Sequence, residues 1–157
     1  MKTLVIYYSR TGTTKKVAEM IAEKMGADIE EIKDTVDRSG VKGYLKSGRD
    51  AMKKRLTKLM PLQKNLAEYD LLIIGTPIWG WNMSAPVRTF VTDQKDNIKN
   101  AAFFCTMGGS GDERAFSEME EIIEKKPKDV LSLMTKNVAT GGFEEKVNEF
   151  VNSIKEK

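Results

Sequence analysis

The chain has 157 residues and a net charge of +3, with 40% hydrophobic and 31% charged residues, which is typical of one soluble globular domain. It contains no histidine, and Cys105 is its only cysteine. These absences exclude a Ser-His-Asp triad, a His-ligated metal, an internal disulfide and a CxxC redox pair. Any redox chemistry must therefore use a bound organic cofactor or a non-thiolate metal site. The charge is too small to indicate nucleic acid, and no stretch resembles a membrane span or a signal peptide, so we expect a cytoplasmic protein.

Short apolar runs alternate with amphipathic stretches along the chain. The first run is rich in β-branched and aromatic residues, as is typical of a buried strand. From Thr13 onward apolar residues recur at helical spacing, and Gly26 is placed to end that helix. The same criteria predict strands at 3–8, 27–32, 69–77, 100–109 and 129–135. Further helices are predicted at 85–94, 112–126 and 143–157.

The order of these elements indicates how the sheet is built. Five strands, each followed by a helix or a helical connection, predict one parallel sheet with helices on both faces. The first, third and fourth strands are apolar throughout, so we expect them at the centre. In such sheets ligands bind at the carboxyl ends of the strands, where the strand order reverses. The loops after Tyr8, Ile74 and Thr106 are therefore the candidate binding segments.

The first loop, 9–14, reads Ser-Arg-Thr-Gly-Thr-Thr and leads directly into a predicted helix. A phosphate at this position would meet unpaired backbone N–H groups and the positive end of the helix dipole. Gly12 allows close approach of the backbone, and four hydroxyl groups can donate hydrogen bonds. The loop is neither a Walker A motif nor a GxGxxG fingerprint. The alternative is that the hydroxyls only cap the helix, although four exceed what a cap requires.

The second loop, 75–86, carries Trp79 and Trp81 on either side of Gly80. A tryptophan beyond the end of a central strand is suited to stacking on a planar ring, and the glycine frees the preceding peptide to flip. One of the two rings could instead cover the edge of the sheet. The third loop, 106–113, is rich in glycine, which would let its amides approach a polar ring edge but is also common in ordinary turns.

Together these motifs resemble the flavodoxin-like family, over nearly the whole chain. The resemblance rests on Ser-x-Thr-Gly-x-Thr after the first strand and Gly-Thr-Pro-x-Trp after the third. It implies a single-domain, three-layer α/β sandwich whose five-stranded parallel sheet has the order 2-1-3-4-5, and FMN as the cofactor. The phosphate would then bind Ser9, Arg10, Thr11, Gly12, Thr13 and Thr14. The isoalloxazine would lie among Thr76, Pro77, Ile78, Trp79, Gly80, Trp81, Met107, Gly108, Gly109 and Gly111.

Two departures from the family pattern bear on function. Small flavodoxin carriers are usually acidic, whereas this chain is slightly basic, and its third loop lacks the usual aromatic residue. An open flavin face would admit a quinone or nicotinamide substrate. The two candidate functions are therefore a flavodoxin-type electron carrier with a redox protein partner, and an NAD(P)H-dependent FMN quinone reductase. Either would be a monomer or a homodimer, and a degenerate member without flavin remains an alternative.

The segment 40–59 is basic and lies between the second and third strands. A helical apolar face is predicted at Leu45, Met52, Leu56 and Leu59. The other positions are loaded with the cations Lys42, Lys46, Arg49, Lys53, Lys54, Arg55 and Lys58. One interpretation is a solvated helix that packs on the sheet, and the other is a docking surface for an acidic redox partner or a phosphorylated substrate. By resemblance Arg49 would approach the flavin, whereas Cys105 is expected to be a small core residue.

Overall fold

The computed structural model describes all 157 residues, Met1–Lys157, and contains one mainly parallel sheet. Its strands are β1 (Thr3–Tyr7), β2 (Asp28–Glu31), β3 (Leu71–Trp79), β4 (Asn82–Met83), β5 (Ala101–Met107) and β6 (Val130–Met134). The parallel strands follow the order β2-β1-β3-β5-β6, and the two-residue β4 pairs only with β3. With β4 set aside, this is the predicted order 2-1-3-4-5. The predicted fold class is confirmed.

Helices cover both faces of the sheet. One face carries α1 (Thr13–Met25), α5 (Thr135–Ala139) and α6 (Glu144–Glu156), and the other carries α2 (Gly40–Met52), α3 (Ala85–Gln94) and α4 (Asp112–Ile123). Successive residues of a strand point to opposite faces, so Leu4 and Ile6 belong to one core cluster while Val5 and Tyr7 belong to the other. The central strands are buried on both faces, which explains their continuous apolar sequence.

Several helices begin or end at the glycine and proline residues that the sequence predicts. Helix α1 ends at Gly26, which adopts the left-handed conformation with φ 62° and donates its N–H to the carbonyls of Ala22 and Glu23. Helix α3 spans the predicted 85–94, with Pro86 in its first turn. Cys105 is fully buried in β5, as expected. No helix combines the length and the apolar character that crossing a membrane would need.

The predicted second loop is in part a β-hairpin. Strand β3 continues past Pro77 to Trp79, and Trp79 pairs with Asn82 of β4. Gly80 and Trp81 form the connection, both with positive φ (51° and 62°), which is the pattern of a type I′ turn. The prediction that Trp79 lies beyond the strand is therefore wrong. Pro77 is tolerated because the pairing of β3 with β1 has already ended at Gly75, so its missing N–H breaks no bond to that strand.

The predicted apolar face of segment 40–59 ends at Met52, and the interpretation that it packs on the sheet is wrong. Helix α2 ends at Met52, and its inward face consists of Gly43, Ser47, Asp50 and Ala51. Leu45 is 64% exposed and Met52 is 58% exposed. The helix is thus oriented with its larger apolar side chains toward solvent, because its small inward residues surround the buried guanidinium of Arg38.

Candidate functional site

A cleft of about 240 Å³ lies at the carboxyl ends of the central strands. It is lined by Ser9, Arg10, Thr11, Thr13, Thr14, Tyr44, Pro77, Ile78, Trp79, Thr106, Met107, Gly108 and Thr135. No carboxylate lines it, and Arg10 is its one charged residue. All three loops predicted from the sequence therefore contribute to a single cleft whose charge favours an anion.

One end of the cleft is formed by the first turn of α1. The helix begins after Gly12, which has a φ of 97°, a conformation that glycine adopts with little strain. The first turn contains no acidic residue. The Gly12 N–H is donated to Ser9 Oγ at 3.0 Å, so the Ser9 hydroxyl proton stays free to donate elsewhere. The N–H groups of Thr13, Thr14 and Lys15 donate no hydrogen bond within the chain. These free donors and the helix dipole suit a phosphate.

A buried hydrogen bond joins the first loop to the third. The hydroxyls of Thr14 and Thr106 lie 2.8 Å apart, and both residues are almost fully buried. The side chain of Thr14 therefore ties the start of α1 to the end of β5, whereas its N–H remains available. This bond fixes the distance between the two walls of the cleft.

Trp79 is the aromatic residue of β3 that lines the cleft, and two neighbours fix its ring. The ring of Tyr8 meets it edge-on, with the centroids 5.5 Å apart and the planes at 89°. The guanidinium of Arg38 lies 5.4 Å from the Trp79 ring centroid, within cation–π range. Burial raises the pKa of Tyr8, although the positive charge of Arg38 opposes that effect. These two contacts constrain the orientation of the indole.

Arg38 is itself a buried residue that the sequence reasoning missed. Its Nε donates to Asp34 at 2.7 Å and its Nη1 donates to Asp50 at 3.1 Å. Its Nη2 has no partner and its side chain is only 1% exposed. The two carboxylates compensate the buried charge. Because Asp50 belongs to α2, this cluster connects Trp79 to that helix.

Tyr44 of α2 also lines the cleft, as a second aromatic residue. The guanidinium of Arg10 lies 5.5 Å from the Tyr44 ring centroid, and Arg10 Nη1 donates to the Arg38 carbonyl at 3.0 Å. The resemblance predicted that Arg49 of this segment approaches the flavin, but Arg49 is not among the lining residues. Helix α2 thus supplies an aromatic residue to the cleft, whereas the third loop supplies none.

Six of the sixteen predicted site residues lie outside the lining of the cleft: Gly12, Thr76, Gly80, Trp81, Gly109 and Gly111. The other ten line it: Ser9, Arg10, Thr11, Thr13, Thr14, Pro77, Ile78, Trp79, Met107 and Gly108. Thr76 is fully buried, and its hydroxyl oxygen accepts the N–H of Ser84 at 3.1 Å. That hydrogen bond connects the start of α3 to β3. Direct contact between the sixteen predicted residues and a cofactor stays a prediction.

Two of the outlying glycines have a packing role. A Cβ at Gly80 would lie 2.7 Å from the Gly48 carbonyl oxygen and overlap the side chain of Met52. A Cβ at Gly111 would lie 2.7 Å from the Trp81 Cα. Both contacts are too close for any larger residue, so these glycines let the hairpin pack against α2 and against the third loop.

A second ion-pair cluster is centred on Glu118 of α4. Its carboxylate forms ion pairs with Lys54 and Arg88, both at 2.6 Å, and Arg88 Nη2 donates to it. Partial burial alone would raise the pKa of Glu118, but these donors outweigh it and lower the pKa to about 2. The carboxylate therefore stays ionised and joins α4 to α3 and to Lys54, just after α2.

Comparison with known proteins gives one consistent result. A family model described as flavodoxin matches residues 2–154. The flavoprotein from Lactobacillus acidophilus NCFM in complex with FMN is 25% identical, with a TM-score of 0.72 over 88% of this chain and 97% of that one. Its apo form is 26% identical, with a TM-score of 0.63 over 83% of this chain and 91% of that one. A candidate flavoprotein from Bacteroides uniformis ATCC 8492 is 25% identical, with a TM-score of 0.78 over 96% and 97%. Because the family model spans nearly the whole chain, this protein belongs to the flavodoxin family.

Proposed function

We propose that this protein binds FMN in the cleft and transfers electrons, as a flavodoxin-type carrier that exchanges them with a redox protein partner. The observation that carries the proposal is the composition of the cleft. Free amides at a helix N-terminus stand at one end, aromatic residues stand beside it, and no carboxylate is present. Family membership and the FMN complex of the Lactobacillus relative support the same cofactor.

The residues present fit FMN by chemistry and by position. The phosphate would be bound by the free N–H groups of Thr13 and Thr14 and by the hydroxyl of Ser9, with Arg10 as the nearby positive charge. Trp79, already fixed by its neighbours, would contact the ring. When bound, FMN supplies the capacity to accept and release electrons, and the protein supplies its orientation and surroundings.

The cleft offers no group suited to moving protons near neutral pH. Its lining contains one arginine, one tyrosine and no histidine, carboxylate or cysteine. Histidine and carboxylates are the residues that act most often as general acids and bases, so the proposed electron transfer would use no proton carrier from the cleft lining.

The second candidate is the NAD(P)H-dependent FMN quinone reductase. One observation favours it: Gly108 and Gly109 are exposed, and a Cβ at either would meet no atom within 4 Å. This open space at the third loop would give a quinone or a nicotinamide room to approach. The two candidates differ in the number of electrons that the protein takes up together.

An anaerobic potentiometric titration of the FMN-reconstituted protein separates the candidates. A carrier takes up two electrons in separate steps and shows no turnover with NAD(P)H and a quinone. A reductase takes up both in one step and turns over, which would contradict the carrier. As matched variants, Trp79→Leu should shift the potentials more than Trp81→Leu does, because Trp79 lines the cleft and Trp81 lies outside its lining. Failure to retain FMN would refute both candidates.

A further inference from the structure

Helix α2 presents an apolar stripe to solvent. Val41 is 75% exposed, Tyr44 and Leu45 are each 64% exposed, and Met52 is 58% exposed. Their spacing places them on one face of the helix. Of the nine large hydrophobic residues that the chain exposes, six lie between 41 and 60. Such a concentration marks an interaction surface, since scattered single residues would be the ordinary finding.

The orientation of α2 is determined on its other face. That face packs around the guanidinium of Arg38, which requires the carboxylate of Asp50 and the hydroxyl of Ser47. Gly43 passes so close to the Arg38 backbone that no side chain fits there. The larger residues of the helix are thereby directed outward. Folding of this chain does not bury the stripe.

Positive charge lies along one edge of the stripe. Segment 40–59 carries seven cations, all exposed, and its one acid, Asp50, is buried and paired. The segment therefore has a net charge of +6, so the rest of the chain, at a total of +3, has a net charge of −3. Lys42 and Lys53 flank the stripe and form no ion pair within the chain. This segment is the positive pole of the molecule.

The stripe reaches the cleft at one end and the hairpin at the other. Tyr44 belongs both to the stripe and to the lining of the cleft. Gly80 packs on Met52, which brings the hairpin and its exposed Trp81 next to the far end of the stripe. A protein seated on α2 would therefore also contact the rim of the cleft, where electrons would have to leave or enter.

We infer that the α2 face, defined as Val41, Tyr44, Leu45 and Met52 with Lys42 and Lys53, docks a redox protein partner whose contact surface is acidic. This inference rests on the proposed function. A tyrosine-containing apolar centre with a charged rim is the usual anatomy of a protein interface, and the charge sets the association rate and the choice of partner. A second copy of this chain fits poorly, because a two-fold α2–α2 contact would oppose like charges.

The test uses the FMN-loaded protein and two redox proteins of opposite charge. A plant-type [2Fe–2S] ferredoxin is the acidic probe, and mitochondrial cytochrome c is the basic one. Titration calorimetry at low ionic strength measures affinity, and amide chemical shifts map the contact. We expect ferredoxin to bind through α2 and cytochrome c not to bind there. Lys42→Glu/Lys53→Glu should weaken ferredoxin binding about tenfold or more, with the difference shrinking at high salt.

The matched control is Lys126→Glu/Lys146→Glu, which makes the same change in net charge at exposed lysines outside α2 that form no ion pair within the chain. It should weaken binding much less. Val41→Ser/Leu45→Ser removes apolar area without touching the cleft and should also weaken binding, by about threefold to tenfold. Equal losses in the two lysine variants would overturn the inference, because net charge alone would then explain the binding.

Other occupants give distinct results that would also overturn the inference. If anionic phospholipid vesicles bind the protein through α2 and ferredoxin does not, the surface is a membrane contact. If Val41→Ser/Leu45→Ser converts a dimer to a monomer in sedimentation, the stripe joins two copies of the chain. Retained FMN and normal electron uptake, with unchanged ferredoxin binding in the α2 variants, would refute the docking surface but leave the proposed function standing.

Discussion

Replacing Gly43 by alanine tests whether α2 packs against Arg38 as described. The new Cβ would lie 2.6 Å from the Arg38 Cα and closer still to its carbonyl group, whereas ordinary contact begins at 3.4 Å. Because the obstruction is main chain, no side-chain rotation can relieve it, and the helix must move by about an ångström. Overpacking of this kind costs typically about 1–3 kcal/mol. Alanine recovers up to about 1 kcal/mol of helix propensity, so we expect a net destabilisation of about 1–2 kcal/mol.

Gly48→Ala on the same helix is the matched control. A Cβ at Gly48 would meet no atom within 4 Å. The substitution should therefore stabilise the protein by up to about 1 kcal/mol. Each variant adds one methyl group to the same helix. The two should have opposite effects on the free energy of unfolding, which urea denaturation measures.

The affinity for FMN is a second property that should differ between Gly43→Ala and Gly48→Ala. Displacement of α2 moves Tyr44 away from the cleft and loosens the Asp50–Arg38 pair that supports Trp79. Gly43→Ala should therefore weaken FMN binding, measured by quenching of flavin fluorescence, while Gly48→Ala should not. If Gly43→Ala is as stable as the parent and binds FMN as tightly, α2 does not pack against Arg38 as described.

Three further predictions concern buried polar groups. Thr14→Val leaves the buried Thr106 hydroxyl unpaired and should lower the free energy of unfolding by about 1–3 kcal/mol, with part recovered by adding Thr106→Val; an unchanged urea midpoint would contradict this bond. Glu118→Gln should cost about 1 kcal/mol at pH 7, since partial exposure screens the ion pairs. Because the pKa of Glu118 is lowered from 4.5 to about 2, that difference should fade as the pH drops between those values. Burial raises the pKa of Cys105 to about 12, so the thiol should resist alkylation at pH 8 until urea unfolds the protein; rapid native labelling would refute its burial.

The sheet could be predicted because its signals are local. Continuous apolar runs such as 100–109 are typical of strands buried on both faces, and glycines such as Gly26 end helices by their own conformational freedom. The position of the cleft then follows from the parallel topology. For that reason ten predicted residues lie together in its lining.

The orientation of α2 could not be predicted because a distant contact decides it. Apolar spacing marks Leu45 and Met52 as inward, but the inward face must accommodate Arg38, whose partners Asp34 and Asp50 lie on separate segments. No periodicity in the sequence shows that an arginine is buried. Tyr44 was missed as a lining residue for the same reason.

The hairpin was missed because its turn uses an unusual residue. A type I′ turn usually carries glycine or asparagine at both central positions, and here Trp81 occupies the second with φ 62°. Pro77 also suggested an end to the strand. Gly80 was a signal for the turn, because glycine readily adopts positive φ. The sequence does not show that Met52 and the Gly48 carbonyl leave no room for a side chain at this position.

The most direct test of the central claim compares the affinity of the apo-protein for FMN with its affinity for riboflavin, which has the same ring system without the phosphate. If the free amides at the start of α1 bind the phosphate, we expect FMN to bind at least about a hundredfold more tightly, since each hydrogen bond to a charged group contributes about 1.5–3 kcal/mol. The preference should shrink when Ser9 is replaced by alanine. Equal affinities for the two ligands would show that the first turn of α1 does not bind the phosphate, and would contradict the assignment of the cleft.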